Sequence, residues 1–257
     1  MDNWFKRNLS SPIINHFGRA KVERHFTEPP ILVGGCGRSG TTLLLSILSA
    51  HPSIYAIPYE ADAFTNWKND NGSLIPTRLD RFHRSILKGE VSKNQNRWCE
   101  KRPANVNHIQ PILDYFGPKA KFIHLVRDPR AVCTSYHPSD ANNYWIPIDR
   151  YVQDVSNGLL YKDHPQVYTL KYEDLVLGTD QTMAQLCQFL EIDHSAELKD
   201  WSNHATVRQH NAWNESVKPI SVDSLSKWKD LRHSTIINDL RRNKSILKIM
   251  DTLGYSL

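Results

Sequence analysis

The chain has 257 residues, of which 40% are hydrophobic and 23% charged, with a formal charge of +5; it can bury one large core and is not a disordered chain. No run approaches the roughly 18 apolar residues of a membrane helix and the opening MDNWFKRNLSS lacks the apolar centre of a signal peptide, so a cytoplasmic location is expected. The modest, dispersed positive charge suits an anionic ligand and does not favour nucleic acid, while Cys36, Cys99, Cys133 and Cys187 show no metal-ligand spacing and read as reduced thiols in or near the core.

Residues 1–28 form a helical or irregular lead-in, and residues 29–257 a single domain. Ile31-Leu32-Val33 is a short apolar run of the buried parallel-strand kind, followed by a glycine-rich turn and by TTLLLSILSA, apolar at helical spacing. Ser53 to Ile57 predicts a second strand, Ile75 to Leu87 a helix with a basic face, and Trp98 to Glu100 a third strand. A helix from Val106 to Phe116 stops at Gly117-Pro118. Lys121 to Val126 is another buried strand, and Asp128-Pro129 opens a helix predicted to run to Tyr136. Then come a helix from Ile148 to Tyr161, a strand from Val167 to Tyr172 and an amphipathic helix from Thr179 to Leu190. Residues 201–228 are polar and aperiodic and read as a long functional loop, before a closing helix from Thr235 to Leu253. Strands alternating with helices predict an α/β, three-layer fold with a central parallel β-sheet flanked by helices.

Gly35-Cys36-Gly37-Arg38-Ser39-Gly40-Thr41-Thr42 has the glycine spacing of a P-loop, whose backbone N–H groups and following helix start wrap an oxyanion. A nucleotide-hydrolysing loop continues Gly-Lys-Ser/Thr, with the lysine on the terminal phosphates and the hydroxyl on Mg²⁺; here Thr41 stands in the lysine position and the charge has moved to Arg38. A guanidinium fork and two hydroxyls bind an oxyanion without a metal.

These residues carry a family resemblance. GGCGRSGTTLL followed by His51-Pro52 resembles the 5′-phosphosulfate loop of sulfotransferases that use 3′-phosphoadenosine 5′-phosphosulfate (PAPS). FIHLVRDPRAVCTS is similar to the family's 3′-phosphate segment, so Arg127 and Ser135 are implied as its ligands, with the serine expected two turns into the helix that follows. WCEKRP, VYTLKYEDL and the segment from Lys218-Pro219 to Leu225-Ser226-Lys227-Trp228 look most like tyrosylprotein sulfotransferases and their bacterial relatives.

The resemblance implies a P-loop-type fold and metal-independent, in-line transfer of a sulfuryl group from PAPS to a hydroxyl, leaving adenosine 3′,5′-bisphosphate. Gly37, Arg38, Ser39, Gly40, Thr41, Thr42, Arg127, Ser135, Tyr172, Ser226, Lys227 and Trp228 are the implied donor-binding residues. Arg38, Lys101 and Ser226 are expected to stabilise charge and Glu60 to accept the acceptor's proton, with Asp62, then His124 or His137, as weaker choices. Ser139 stands where a second arginine would assist the 3′-phosphate, and Arg208 is a substitute from the 201–228 segment. Phe64, Trp67, Tyr144 and Trp145 are candidates for an acceptor pocket, although aromatic residues are more often core. The acceptor itself, a tyrosine peptide, sugar, lipid or phenol, is left open, as is a homodimer. Two rival readings stand beside this one: a P-loop nucleotide kinase, which the missing lysine disfavours, and a non-catalytic adenosine-bisphosphate-binding module.

Overall fold

The computed structural model describes residues 11–137, 139–208 and 220–256. Five parallel strands form the central sheet: β1 (Ile31–Gly35), β2 (Ile54–Ala56), β5 (Arg97–Lys101), β6 (Lys121–Val126) and β9 (Val167–Lys171), in the order β2-β5-β1-β6-β9. The register sets Ile31 beside Cys99 on one side and beside Lys121 on the other. Because side chains alternate across a strand, Ile31, Val33, Ile123 and Leu170 enter one apolar core, and Leu32, Phe122, Trp98 and Val167 enter a second on the opposite face. Both faces are therefore covered, which accounts for the continuous apolar runs in the sequence.

On the first face lie α2 (Thr41–Leu48), buried over its whole length, and α8 (Thr179–Leu190). On the second lie α3 (Leu79–Lys88) and α4 (Ile109–Phe116), with α1 (Ser11–His25) packed on α3: Gly18 sits against the His83 ring, and Asn15 Oδ1 accepts from His83 Nδ1 at 2.8 Å. A third apolar cluster joins α6 (Ile148–Leu159) to α11 (Ser234–Arg242) and α12 (Lys244–Leu253). The four cysteines are buried and unpaired, as expected. Among the described residues no helix is long and apolar enough to cross a membrane.

Several elements differ from the sequence expectation. Ile75 belongs to a hairpin, β3 (Trp67–Asp70) with β4 (Ser73–Pro76), and the helix begins only at Leu79. Asn71 and Gly72, both at positive φ, supply the tight turn, a pair of residues whose hairpin preference is readable in the sequence. The helix opened by Asp128, whose Oδ1 accepts from Arg130 N at 2.8 Å, ends at Cys133 (α5, Pro129–Cys133). The chain then forms β7 (Tyr136–His137), paired with β8 (Asp140–Tyr144), where the Tyr136 and Tyr144 rings stack 5.2 Å apart. Ser135 thus follows the helix instead of lying within it. Tyr172 opens a short helix, α7 (Tyr172–Leu177), and does not end the strand. Residues 201–228 are not wholly irregular: α10 (Trp201–His204) and 3₁₀ turns at Val222–Leu225 and Lys227–Lys229 lie within them, while Lys218 and Pro219 fall outside the described residues. The closing helix is two, broken at Asn243, whose Oδ1 caps the second by accepting from Ser245 N and Ile246 N.

Candidate functional site

Every strand of the parallel sheet delivers polar groups beyond its carboxyl end, the edge at which open α/β sheets bind ligands. The 36–42 loop follows β1, Glu60 follows β2, Lys101 ends β5, Arg127 follows β6 and Tyr172 follows β9. Gly37, Arg38, Gly40, Thr41, Thr42, Glu60, Arg102, Arg127, Trp145, Arg150 and Tyr172 line a cleft of about 310 Å³ there.

The loop is shaped by its glycines. Arg38 and Gly40 are both in the left-handed region, at φ 69° and 96°. A Cβ on Gly40 would lie 2.4 Å from the Tyr172 ring, so only glycine brings the backbone this close. No side chain caps the start of α2, and Thr41 and Thr42 of its first turn line the cleft; the free N–H groups of a helix start stabilise an oxyanion. Ser39 Oγ and Arg127 Nε are buried without a hydrogen-bond partner among the described residues. Burial, and then the neighbouring Arg127, draw the Arg38 guanidinium below its ordinary pKa. Neither arginine has an acidic partner among the described residues, so an incoming anion relieves both the desolvation and the like-charge repulsion.

Lys101 is fully buried, its Nζ donating to Thr42 Oγ1 at 3.1 Å and to Glu60 Oε1 at 2.6 Å. Arg102 Nη1 donates to the other Glu60 oxygen. Burial pushes the Glu60 carboxyl up, but Lys101 and Arg102 outweigh it and hold Glu60 below the usual carboxylate range. On the Lys101 side burial pulls the ammonium down while Glu60 opposes it. Two cations thus flank the one Glu60 carboxylate.

Arg127 donates to Arg38 O at 3.2 Å and Ser224 O at 2.7 Å, and its guanidinium lies 4.1 Å over the Tyr172 ring. It also lines a second cavity of about 700 Å³, together with Arg38, Ser135, Tyr136, Ser226, Lys227, Trp228, Arg232 and His233. The two cavities meet at Arg38 and Arg127. Ser135 Oγ donates to Ala131 O at 2.7 Å, and Trp228 carries Arg130 over its ring at 4.1 Å. Ser226 lines this second cavity and not the cleft that Glu60 lines; its Oγ donates to Asp223 O at 3.3 Å.

Other sequence candidates lie elsewhere. Asp62 faces Arg102 and Arg81 beside the cleft. Phe64 is core, packed on Phe82, Trp98 and Phe116; Trp67 donates to Phe64 O; Tyr144 is hydrogen-bonded to His233 Nδ1 at 2.7 Å. Of the four aromatic candidates Trp145 alone lines the cleft, with Arg38 5.4 Å over its ring. Arg208 is bonded to the Ala205 and Asn203 carbonyls and lines neither cavity. Sequence reasoning missed Arg102, Arg150, Arg232 and His233; the KRP step offered a cue only for Arg102.

His137 packs edge-on against Trp145 at 5.1 Å. His124 is wholly buried against Gly158, away from the cleft, with neither ring nitrogen hydrogen-bonded among the described residues. Burial pushes its pKa down to about 3, from an ordinary 6.5. A folded-state value below the unfolded one gives stability that is present above pH 6.5 and lost as the pH falls towards 3. The stability difference between wild type and His124→Leu, from urea melts, is therefore expected to move in the variant's favour by about 0.7 kcal/mol per pH unit at about pH 6.5, steepening to about 1.4 near pH 5. The opposing contribution of Glu100, raised to about 7 by burial, cancels in that difference.

The fold and the loop define an α/β protein of the P-loop type. A sulfotransferase family model matches residues 29–196. The chain is 26% identical to protein-tyrosine sulfotransferase A of Caenorhabditis elegans over 89% of its own length and 68% of that protein's. It is 23% identical to the protein-tyrosine sulfotransferase of Drosophila melanogaster, over 91% of this chain but 56% of that one. In fold it is similar to the sulfotransferase domain of a Synechococcus olefin synthase (TM-score 0.56, 18% identity, covering 91% of this chain and 97% of that one). It is also similar to a mouse sulfotransferase solved with PAP (TM-score 0.52, 12% identity, 90% and 93%). The chain belongs to the sulfotransferase family.

Proposed function

We propose that the protein transfers a sulfuryl group from PAPS to the hydroxyl of an acceptor, with tyrosyl or phenolic acceptors first in line. One observation carries this reading: two cavities joined at Arg38 and Arg127, which suits an extended donor with anionic groups at both ends. One feature supports the fit of the donor: Ser39 Oγ and Arg127 Nε are buried without a hydrogen-bond partner among the described residues. In this reading Gly37, Arg38, Ser39, Gly40, Thr41 and Thr42 hold its phosphosulfate, and Arg127, Ser135, Tyr172, Ser226, Lys227 and Trp228 hold its nucleotide half. PAPS supplies an activated sulfuryl group on a sulfate–phosphate anhydride.

The protein's own groups do the rest. Lys101, held by Thr42 and Glu60 at the end of β5, brings positive charge to the loop, and Arg38 adds a second cation. Glu60 lines the same cleft and is the group we assign to accept the hydroxyl proton. Trp145 offers the cleft an apolar wall. The names of the curated relatives support a protein tyrosine as the acceptor.

Calorimetry without added metal tests the donor assignment. Adenosine 3′,5′-bisphosphate is expected to bind at least 10-fold more tightly than 5′-AMP or ATP, with that preference lost in Arg127→Ala; a charge-assisted contact is worth about 1.5–3 kcal/mol. In a second titration with Mg²⁺ added, preference for Mg-ATP would overturn the assignment and favour the kinase reading.

A further inference from the structure

Glu60 is one member of a run of alternating charges. From the buried end, Lys101 Nζ lies 2.6 Å from Glu60 Oε1, and Arg102 Nη1 is on Glu60 Oε2. Arg102 Nε lies 2.9 Å from Asp62 Oδ1, and Arg81 Nη1 closes the run 3.4 Å from Asp62 Oδ2. The Arg102 Nε–Asp62 contact is close without being a well-aligned hydrogen bond, as Nε counts among the unsatisfied buried donors. Asp62 meets Arg102 from a left-handed backbone, φ 56°, and also accepts from Thr65 Oγ1 at 3.3 Å. Arg102 is thus shared between two carboxylates, one inside the cleft and one at its edge.

A carboxylate gripped by two cations is a poor proton acceptor. An anion seated at Thr42 and Lys101 competes with Glu60 for the Lys101 ammonium, whereas Arg102 stays on Oε2 and part of its charge is answered by Asp62. We propose that Arg102 is a positioning residue that orients Glu60, and that Asp62, by sharing the guanidinium, keeps Glu60 basic enough to accept a proton. This rests on the reading of Glu60 as the proton acceptor. The other charged groups facing Glu60 are Lys101 and Glu100 from β5 and Arg38 across the cleft.

The test is a ¹³C-carboxyl NMR titration of the full-length protein, the Glu60 signal being the one absent from Glu60→Gln. Arg102→Met is expected to raise the Glu60 midpoint by about one pH unit, Arg102→Lys to return most of that change, and Asp62→Asn to lower the midpoint, because Arg102 then answers to Glu60 alone. Midpoints unmoved in variants that melt as wild type would overturn the role of Arg102 and leave the base reading standing. Wild-type turnover by Glu60→Gln, with PAPS and a tyrosine-containing peptide as the probe, would instead remove the base reading and leave any midpoint shifts intact.

Discussion

Replacing Lys101 with methionine is expected to lower turnover by about 10²-fold or more while changing the affinity for adenosine 3′,5′-bisphosphate by less than about 10-fold. Methionine preserves most of the side-chain volume, so the buried end of β5 stays filled. What disappears is the one ammonium held between the loop hydroxyl of Thr42 and the carboxylate of Glu60. In the proposed mechanism a charge at that point acts on the transferring group and its leaving oxygen, where negative charge grows during reaction, and contributes little to binding of a product from which the sulfuryl group has gone. The melting temperature should fall modestly, because Glu60 keeps Arg102 as a partner and is not left as an isolated buried charge. Steady-state kinetics and calorimetry on the same preparation separate the two effects. Equal losses of binding and turnover would place Lys101 among the general donor-binding groups, and a wild-type rate would remove it from the mechanism.

Gly40→Ala is expected to destabilise the fold by about 2–4 kcal/mol and to abolish measurable nucleotide binding. Two costs add. The residue is held at φ 96°, where an L side chain is strained, and its Cβ would lie 2.4 Å from the Tyr172 ring. That ring cannot yield locally: its hydroxyl is hydrogen-bonded to Ser224 at 3.0 Å, and Arg127 is stacked on its face. Displacing it moves the arginine shared by both cavities. Gly254→Ala is the control, since Gly254 shares the left-handed backbone, at φ 68° and ψ 32°, but has open space where the Cβ would go. It should lose only the backbone contribution, about 1 kcal/mol, and bind normally. Denaturant melts and calorimetry check both; matching behaviour of the two variants would mean that the Tyr172 contact is not what constrains the loop.

The parts legible in the chain were those set by near neighbours. An apolar run bounded by turn residues specifies a buried strand wherever it sits, and the spacing of Gly37, Gly40 and Thr41 specifies an anion-binding turn because its dihedrals and N–H directions are fixed within a few residues. The Asp128-Pro129 helix start was local in the same way, and so, though overlooked, was the Asn71-Gly72 hairpin turn. The end of the helix after Cys133 was not local: it depends on Tyr136 finding Tyr144 across a hairpin. Phe64 and Trp145 look alike as aromatic residues in a sequence, yet one is core and the other lines the cleft, a distinction set by which helices cover each sheet face.

The amino-acid sequence by itself thus determined the alternating strands and helices and the glycine-rich loop, products of short-range sterics and hydrogen bonding, whereas Arg127 and Ser135 were singled out only by the family resemblance. Only the tertiary structure decided that Lys101, Glu60, Arg102 and Asp62 form one run of charges and that Arg38 and Arg127 join two cavities. Those arrangements arise from the strand order β2-β5-β1-β6, which brings groups tens of residues apart to one edge of the sheet, and Coulombic coupling depends on distance in space and on burial, neither of which spacing along the chain encodes.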